Sequence, residues 1–151
     1  THGTPFRRAI EENLIDPKKY VILGLRGGLY DPDDLKWAIE QGITIITTDK
    51  FYEIGMAESI KIIKDTIGDT PTYFTFDIDG IDPTYAPGTG TPEVGGINVH
   101  EAQLLIRNLK DLNFIGADVV EVSPPFDVNN MTSLVGATIA FEILCTMTKT
   151  N

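Results

Sequence analysis

Short apolar runs rich in β-branched residues alternate along this chain with longer segments of helical period, and that alternation leaves few folds open. The strand candidates are residues 20–25, 43–47, 72–78 and 115–122; the helix candidates between them are 5–14, 33–41, 52–67, 99–112 and 132–146. Strands separated by helix-length connections pair in parallel, because a parallel crossover needs about a dozen residues or more. The runs are continuously apolar rather than alternating, so helices are expected on both faces of the sheet. The predicted fold is therefore α/β, a three-layer αβα stack on a mostly parallel sheet.

Two of the helices carry sharper signals. In Asn98-Val99-His100-Glu101 a capping amide precedes a glutamate by three residues, the spacing of a capping box, which gives Glu101 a structural task and leaves His100 on the helix surface. Met56, Ile60, Ile63 and Ile67 recur at helical spacing and form a core-facing stripe.

At 151 residues and 42% hydrophobic content the chain suits one domain, residues 1–151, with its own core. A formal charge of -10 opposes binding to phosphate backbones or anionic membranes, so neither nucleic acid nor membrane is an expected partner. The single cysteine, Cys145, excludes an intrachain disulfide; it lies in an apolar run, which predicts a buried thiol. No apolar stretch has the length of a membrane span, and the polar start is unlike a signal peptide, which together suggest the cytoplasm. The chain opens without methionine, with His2 in a loop-like Gly-Thr-Pro context, and this predicts truncation at the amino terminus.

Irregular segments follow two of the strands, at residues 80–96 and 123–130. Ligands collect beyond the carboxyl ends of strands in such sheets, so chemistry is expected there. Asp77 and Asp79 stand two apart at the end of the third strand; if the strand persists that far, both carboxylates project from one face. Two converging carboxylates repel unless a divalent cation lies between them, and oxygen donors suit magnesium, calcium or manganese. The alternative is that both are solvated turn residues. Asp82, before Pro83, suits a turn-capping role better.

The stretch from Phe76 through Asp77, Asp79, Asp82 and the glycine- and proline-rich loop to Gly96 resembles the carboxy-terminal signature of the ureohydrolases, the arginase and agmatinase family. The resemblance continues through His2-Gly3-Thr4-Pro5-Phe6-Arg7-Arg8 and through Gly116 to Pro125, so it covers essentially the whole chain. It implies an arginase-like fold of which this chain is the carboxy-terminal part, and a centre with two manganese ions in the complete enzyme. Asp77 would bridge the two ions and Asp79 would bind one of them. Water activated between the ions would attack a guanidinium carbon, giving urea and a free amine. Glu121 would accept hydrogen bonds from the guanidinium, His2 would shuttle protons to the leaving amine, and Thr91 would lie beside the metal pair at the substrate.

Family members take four further metal ligands from two earlier motifs, Gly-Gly-Asp-His and Asp-Ala-His-X-Asp, and neither occurs here. The isolated chain is therefore expected to bind manganese weakly and to hydrolyse little. The wording of the motifs resembles agmatinases and guanidino-acid hydrolases more than arginases, so hydrolysis of agmatine to putrescine is the first expectation. Guanidinobutyrase activity, or a non-catalytic fragment that needs a partner segment, is the alternative. Arg26 would serve a guanidino acid by pairing with its carboxylate, or else bridge to Asp31, Asp33 or Asp34. The family commonly forms homo-oligomers. Phosphoryl-accepting receiver domains also bind magnesium at a parallel-sheet edge, but they carry the paired acids after the first strand, not the third.

Overall fold

A computed structural model describes residues 3–148; the predicted proton shuttle His2 lies outside the described residues. All four predicted strands form, as β1 (Val21–Leu25), β2 (Thr44–Thr47), β3 (Thr72–Asp77) and β4 (Phe114–Val120). All five helices form as well: α1 (Pro5–Glu11), α2 (Lys36–Gln41), α3 (Thr48–Ile67), α4 (Val99–Asn108) and α5 (Met131–Met147).

Local chemistry explains the boundaries. The Thr47 hydroxyl accepts from the Lys50 amide and starts α3 four residues before the predicted start at residue 52. The helix bends at Gly55, whose φ of 81° lies outside helical space, and the Ser59 hydroxyl donates to the carbonyl freed there. The Asn98 capping box forms in full: the Asn98 side chain accepts from the Glu101 amide, and Glu101 accepts from the Asn98 amide. Ile63 and Ile67 are buried, and Met56 and Ile60 pack against the same core.

β1 pairs with β2 and β3 with β4, both in parallel. These remain two separate two-stranded sheets, whereas the sequence predicts a single one. The core lies against β3 and gathers Phe76, Ile78 and Ile81 with Leu105 and Ile106 of α4 and Ile139 and Ile143 of α5. An ion pair between an exposed arginine and a buried glutamate ties α4 to α5: Arg107 donates through both Nε and a terminal nitrogen to Glu142, which also accepts from Gln103.

Two expectations need correction. Cys145 is exposed, because α5 turns Val135, Ile139, Glu142 and Ile143 inward and leaves Phe141, Leu144 and Cys145 outside. The expected helical cover on both sheet faces is incomplete as well, with Leu25, Tyr73, Ile115 and Val120 open to solvent. No helix among the described residues is long and apolar enough to cross a membrane.

Candidate metal centre

β3 ends at Asp77, and a single 3-10 turn, Ile78–Gly80, follows. Asp79 is thus placed by a turn, not by the strand continuation that the two-residue spacing suggests. The Asp77 side chain starts that turn by accepting from the Asp79 amide at 3.0 Å. Ile78, between them, is wholly buried and anchors the turn to the core. The two carboxylates still converge, close enough to hydrogen-bond and to repel each other. Loss of water around the Asp77 carboxyl raises its pKa to about 6, although the residue keeps solvent access, and the charges of Asp79 and Glu121 add to the rise.

The loop after the turn is held at both ends. Asp82 accepts from the amide and hydroxyl of Thr84 through one oxygen and from the amides of Gly95 and Gly96 through the other. The Thr84 bonds foremost, with the two glycine amides, hold its carboxyl down at about 2. Asp82 is thus the loop's fastener, the capping role its place before proline suggests. Further along, the Ser123 amide donates to the Gly88 carbonyl at 2.8 Å, and Thr89 bridges to Val122 across an antiparallel contact. The Gly88 amide donates to Thr132 on α5. These contacts draw the loop over the end of β4, where Glu121 follows the strand.

Thr91 then reaches back to donate to Asp79 Oδ2 at 3.0 Å. Glu121 has a left-handed backbone, φ 64°, a conformation that costs a non-glycine residue on the order of 1 kcal/mol or more and gathers at functional sites. The structure so brings Asp77, Asp79, Thr91 and Glu121 together. His100 stays apart, exposed in the first turn of α4.

Arg26, at the end of β1, does not bridge to an aspartate of residues 31–34. It donates to the backbone carbonyls of Asp79, Glu93 and Val94, clamping the Ile78–Gly80 turn to the far end of the loop. A guanidinium with several donors suits such a cluster of carbonyls. Sequence reasoning places Arg26 correctly at a strand end but holds no signal for acceptors almost seventy residues away. It also misses Asp127, whose carboxylate caps α5 by accepting from the amides of Thr132 and Ser133.

Residues 1–146 match the sequence model of the Arginase family. The chain belongs to the arginase family. Guanidinopropionase from Pseudomonas aeruginosa is 54% identical over 145 residues, which are 96% of this chain and 46% of that protein. Guanidinobutyrase from the same bacterium is 43% identical over 146 residues, 97% of this chain and 46% of that protein. The solved structure of proclavaminate amidinohydrolase from Streptomyces clavuligerus superposes with a TM-score of 0.90 at 42% identity, covering 97% of this chain and 48% of that one. The arginase-family chain described here therefore spans about half the length of the relatives it matches and holds part of their αβα fold.

The donors present fit a divalent cation only in part. Two crowded carboxylates with one pKa pushed up are what a cation would relieve. Among the described residues, however, no three histidine, cysteine, aspartate or glutamate side chains are grouped so as to hold a metal ion. The Asp77 carboxyl should titrate near pH 6 in the metal-free chain, and Asp79→Asn or Glu121→Gln should each lower its midpoint by removing a neighbouring charge. Carboxyl carbon shifts followed by NMR would show this; a midpoint near 4 in the parent chain would disprove the crowding. The sign for stability follows: the folded state holds this proton more tightly than the unfolded chain, so Asp77 weakens folding as pH rises from about 4 through about 6.

Proposed function

We propose that this arginase-family chain contributes one side of the active site of a manganese-dependent amidinohydrolase, which releases urea and an amine from a guanidino compound. The meeting of the Asp77 and Asp79 carboxylates at the end of β3, with Glu121 directly after Val120, the β4 residue paired with Asp77, carries the reading. Asp77 and Asp79 would supply two oxygen donors to the metal pair, with the remaining ligands coming from outside these residues. When bound, the cations supply a water acidic enough to act as nucleophile at neutral pH.

The chain's own residues would then divide the work. Thr91 holds Asp79 in one orientation through its hydroxyl, and Arg26 holds the backbone of the same turn. Glu121 stands beside Asp77, and its planar carboxylate matches the paired N–H groups of a guanidinium. Its charge would keep the substrate cationic and so keep the central carbon open to attack. Cleavage of the carbon–nitrogen bond requires a proton on the departing amine, the task proposed for His2.

The choice of substrate follows from one observation. Identity is higher to the guanidinopropionase, at 54%, than to agmatinases, at 42% and 45%, which favours a short guanidino acid over the agmatine that the motif wording suggests. Arg26, occupied with backbone carbonyls, is not available to the acid's carboxylate, so that contact would come from elsewhere. The test is urea release with manganese, offering guanidinopropionate, guanidinobutyrate, agmatine and arginine side by side. The enzyme would be this chain refolded together with the portion of the Pseudomonas aeruginosa guanidinopropionase that it does not span. Faster release from guanidinopropionate than from agmatine is expected. The reverse order would overturn the substrate choice, and no urea from any of the four from a one-to-one complex would overturn the reading itself.

A further inference from the structure

A slot of about 380 Å³ separates β1 from β3, and among the described residues no backbone ladder joins the two strand pairs across it. The side chain of Arg26 spans it, from the end of β1 to the Asp79 carbonyl in the turn after β3. What aims this side chain lies in β1. Register there passes from Leu23↔Ile46 to Leu25↔Thr47, so Gly24 has no partner on β2 and forms a bulge, a device that re-aims the side chains beside it. Its φ of 96° is a conformation that favours glycine. The buried Gly24 carbonyl accepts at 3.0 Å from the hydroxyl of Thr48, the first residue of α3, which is buried as well. It also accepts at 3.3 Å from Nη1 of Arg26.

A guanidinium on a long, flexible stem keeps one orientation only while its planar fork is engaged along its whole edge. On Arg26, Nε donates to the Glu93 and Val94 carbonyls, Nη2 to those of Asp79 and Glu93, and Nη1 to that of Gly24. A carbonyl offers two lone pairs, and Thr48 fixes one of those on Gly24, leaving the other for Arg26. We propose that Thr48 is a positioning residue for the metal centre. Its hydroxyl fixes the Gly24 bulge, the bulge aims Arg26, and Arg26 holds the Asp79 backbone so that the carboxylate, tied by Thr91, meets Asp77 in one geometry. The inference rests on the reading of Asp79 as a metal donor. Groups that support a metal donor act on affinity more than on the fold, because a small displacement of the donor costs binding while the core stays packed. Ser59 is the contrast within the same helix. It is also buried and donates at 2.9 Å to a glycine carbonyl, that of Gly55, but this bond is internal to α3.

The test compares Thr48→Val, Thr48→Ser, Arg26→Lys and Ser59→Ala, with Thr48→Ala as a second variant lacking the hydroxyl in case valine does not fold. In the chain alone, NMR follows exchange of the Arg26 Nε–H with water, a signal assigned by its absence from Arg26→Lys. Thr48→Val should speed that exchange at least tenfold, whereas Thr48→Ser and Ser59→Ala leave it within a few-fold of the parent. Each chain is then refolded one-to-one with the complementary portion of the Pseudomonas aeruginosa guanidinopropionase and titrated with manganese, read from loss of the free-ion EPR signal. Arg26→Lys, which keeps the charge and loses the fork, is expected to weaken binding about tenfold, and Thr48→Val about threefold or more. Thr48→Ser should restore the parent affinity and Ser59→Ala should keep it. Unchanged Arg26 exchange in Thr48→Val would overturn the proposal, as would unchanged manganese affinity. An equal loss of affinity in Ser59→Ala would overturn it too, by making the effect one of stability alone. If Asp77→Asn weakens binding and Thr48→Val does not, the metal reading stands and this role fails; a parent complex that binds no manganese fails both.

Discussion

Gly96→Ala is expected to lower the stability of this chain by about 3 kcal/mol, at the upper end of what overpacking costs. An added Cβ at Gly96 would stand 2.5 Å from the Asp82 nitrogen and 2.8 Å from its Cα. Those atoms are backbone and have no rotamer in which to escape. They are held, moreover, by the contacts that close the loop: the Asp82 amide donates to the Ile97 carbonyl, the Ile97 amide donates to the Gly80 carbonyl, and the Gly96 amide donates to the Asp82 carboxylate. Relieving the clash would part residues 95–97 from residues 80–82 and free the turn that carries Asp79. Gly90→Ala is the matched control in the same loop, since nothing lies within 4 Å of its added Cβ. Urea unfolding should show a large fall in midpoint for the first variant and almost none for the second. Equal midpoints would show that the loop is not closed as described.

What the sequence makes legible is what local chemistry decides. The four strands and five helices depend on apolar period and on turn residues, and the Asn98–Glu101 cap depends on two residues three apart, so all of these can be read without knowing what they meet. The grouping of Asp77, Asp79, Thr91 and Glu121 comes from resemblance to the family, since their approach depends on Gly88 and Thr89 meeting Val122 and Ser123, a contact between distant segments. Long-range placement is where sequence reasoning falls short. The same strand lengths fit one sheet or two pairs, and only the packing shows the slot between β1 and β3. α5 is apolar on nearly every side, so its period does not say that Cys145 faces out. The left-handed backbone of Glu121 has no signal in its side-chain type. A glycine would adopt it more easily, so a glutamate there is explained better by what its carboxylate does than by the turn it makes.

Asp77 and Asp82 are expected to respond to the same substitution with opposite signs, and this separates a metal-site carboxylate from a structural one. At pH 7 both are ionised. The Asp77 charge is unfavourable in the metal-free chain, because its pKa is raised to about 6. Asp77→Asn removes that charge while leaving an oxygen to accept from the Asp79 amide, so the metal-free variant should be at least as stable as the parent. Asp82 is the reverse case. Its pKa is lowered to about 2, so its ionised form supports folding at all pH values above about 4 and loses that contribution as pH falls through about 2. Asp82→Asn should therefore unfold at lower urea at pH 7. Manganese should invert the order. The loss of one charged oxygen donor at Asp77 is expected to weaken manganese binding to the chain at least tenfold, and to cut urea release from the assembled enzyme on the order of a thousandfold. Asp82→Asn should leave manganese affinity within a few-fold of the parent while the loop stays folded. Manganese binding read from the loss of the free-ion EPR signal, alongside urea unfolding without metal, gives both axes. An Asp77→Asn chain that is less stable without metal, yet binds manganese as the parent does, would make Asp77 a structural residue and move the metal site elsewhere.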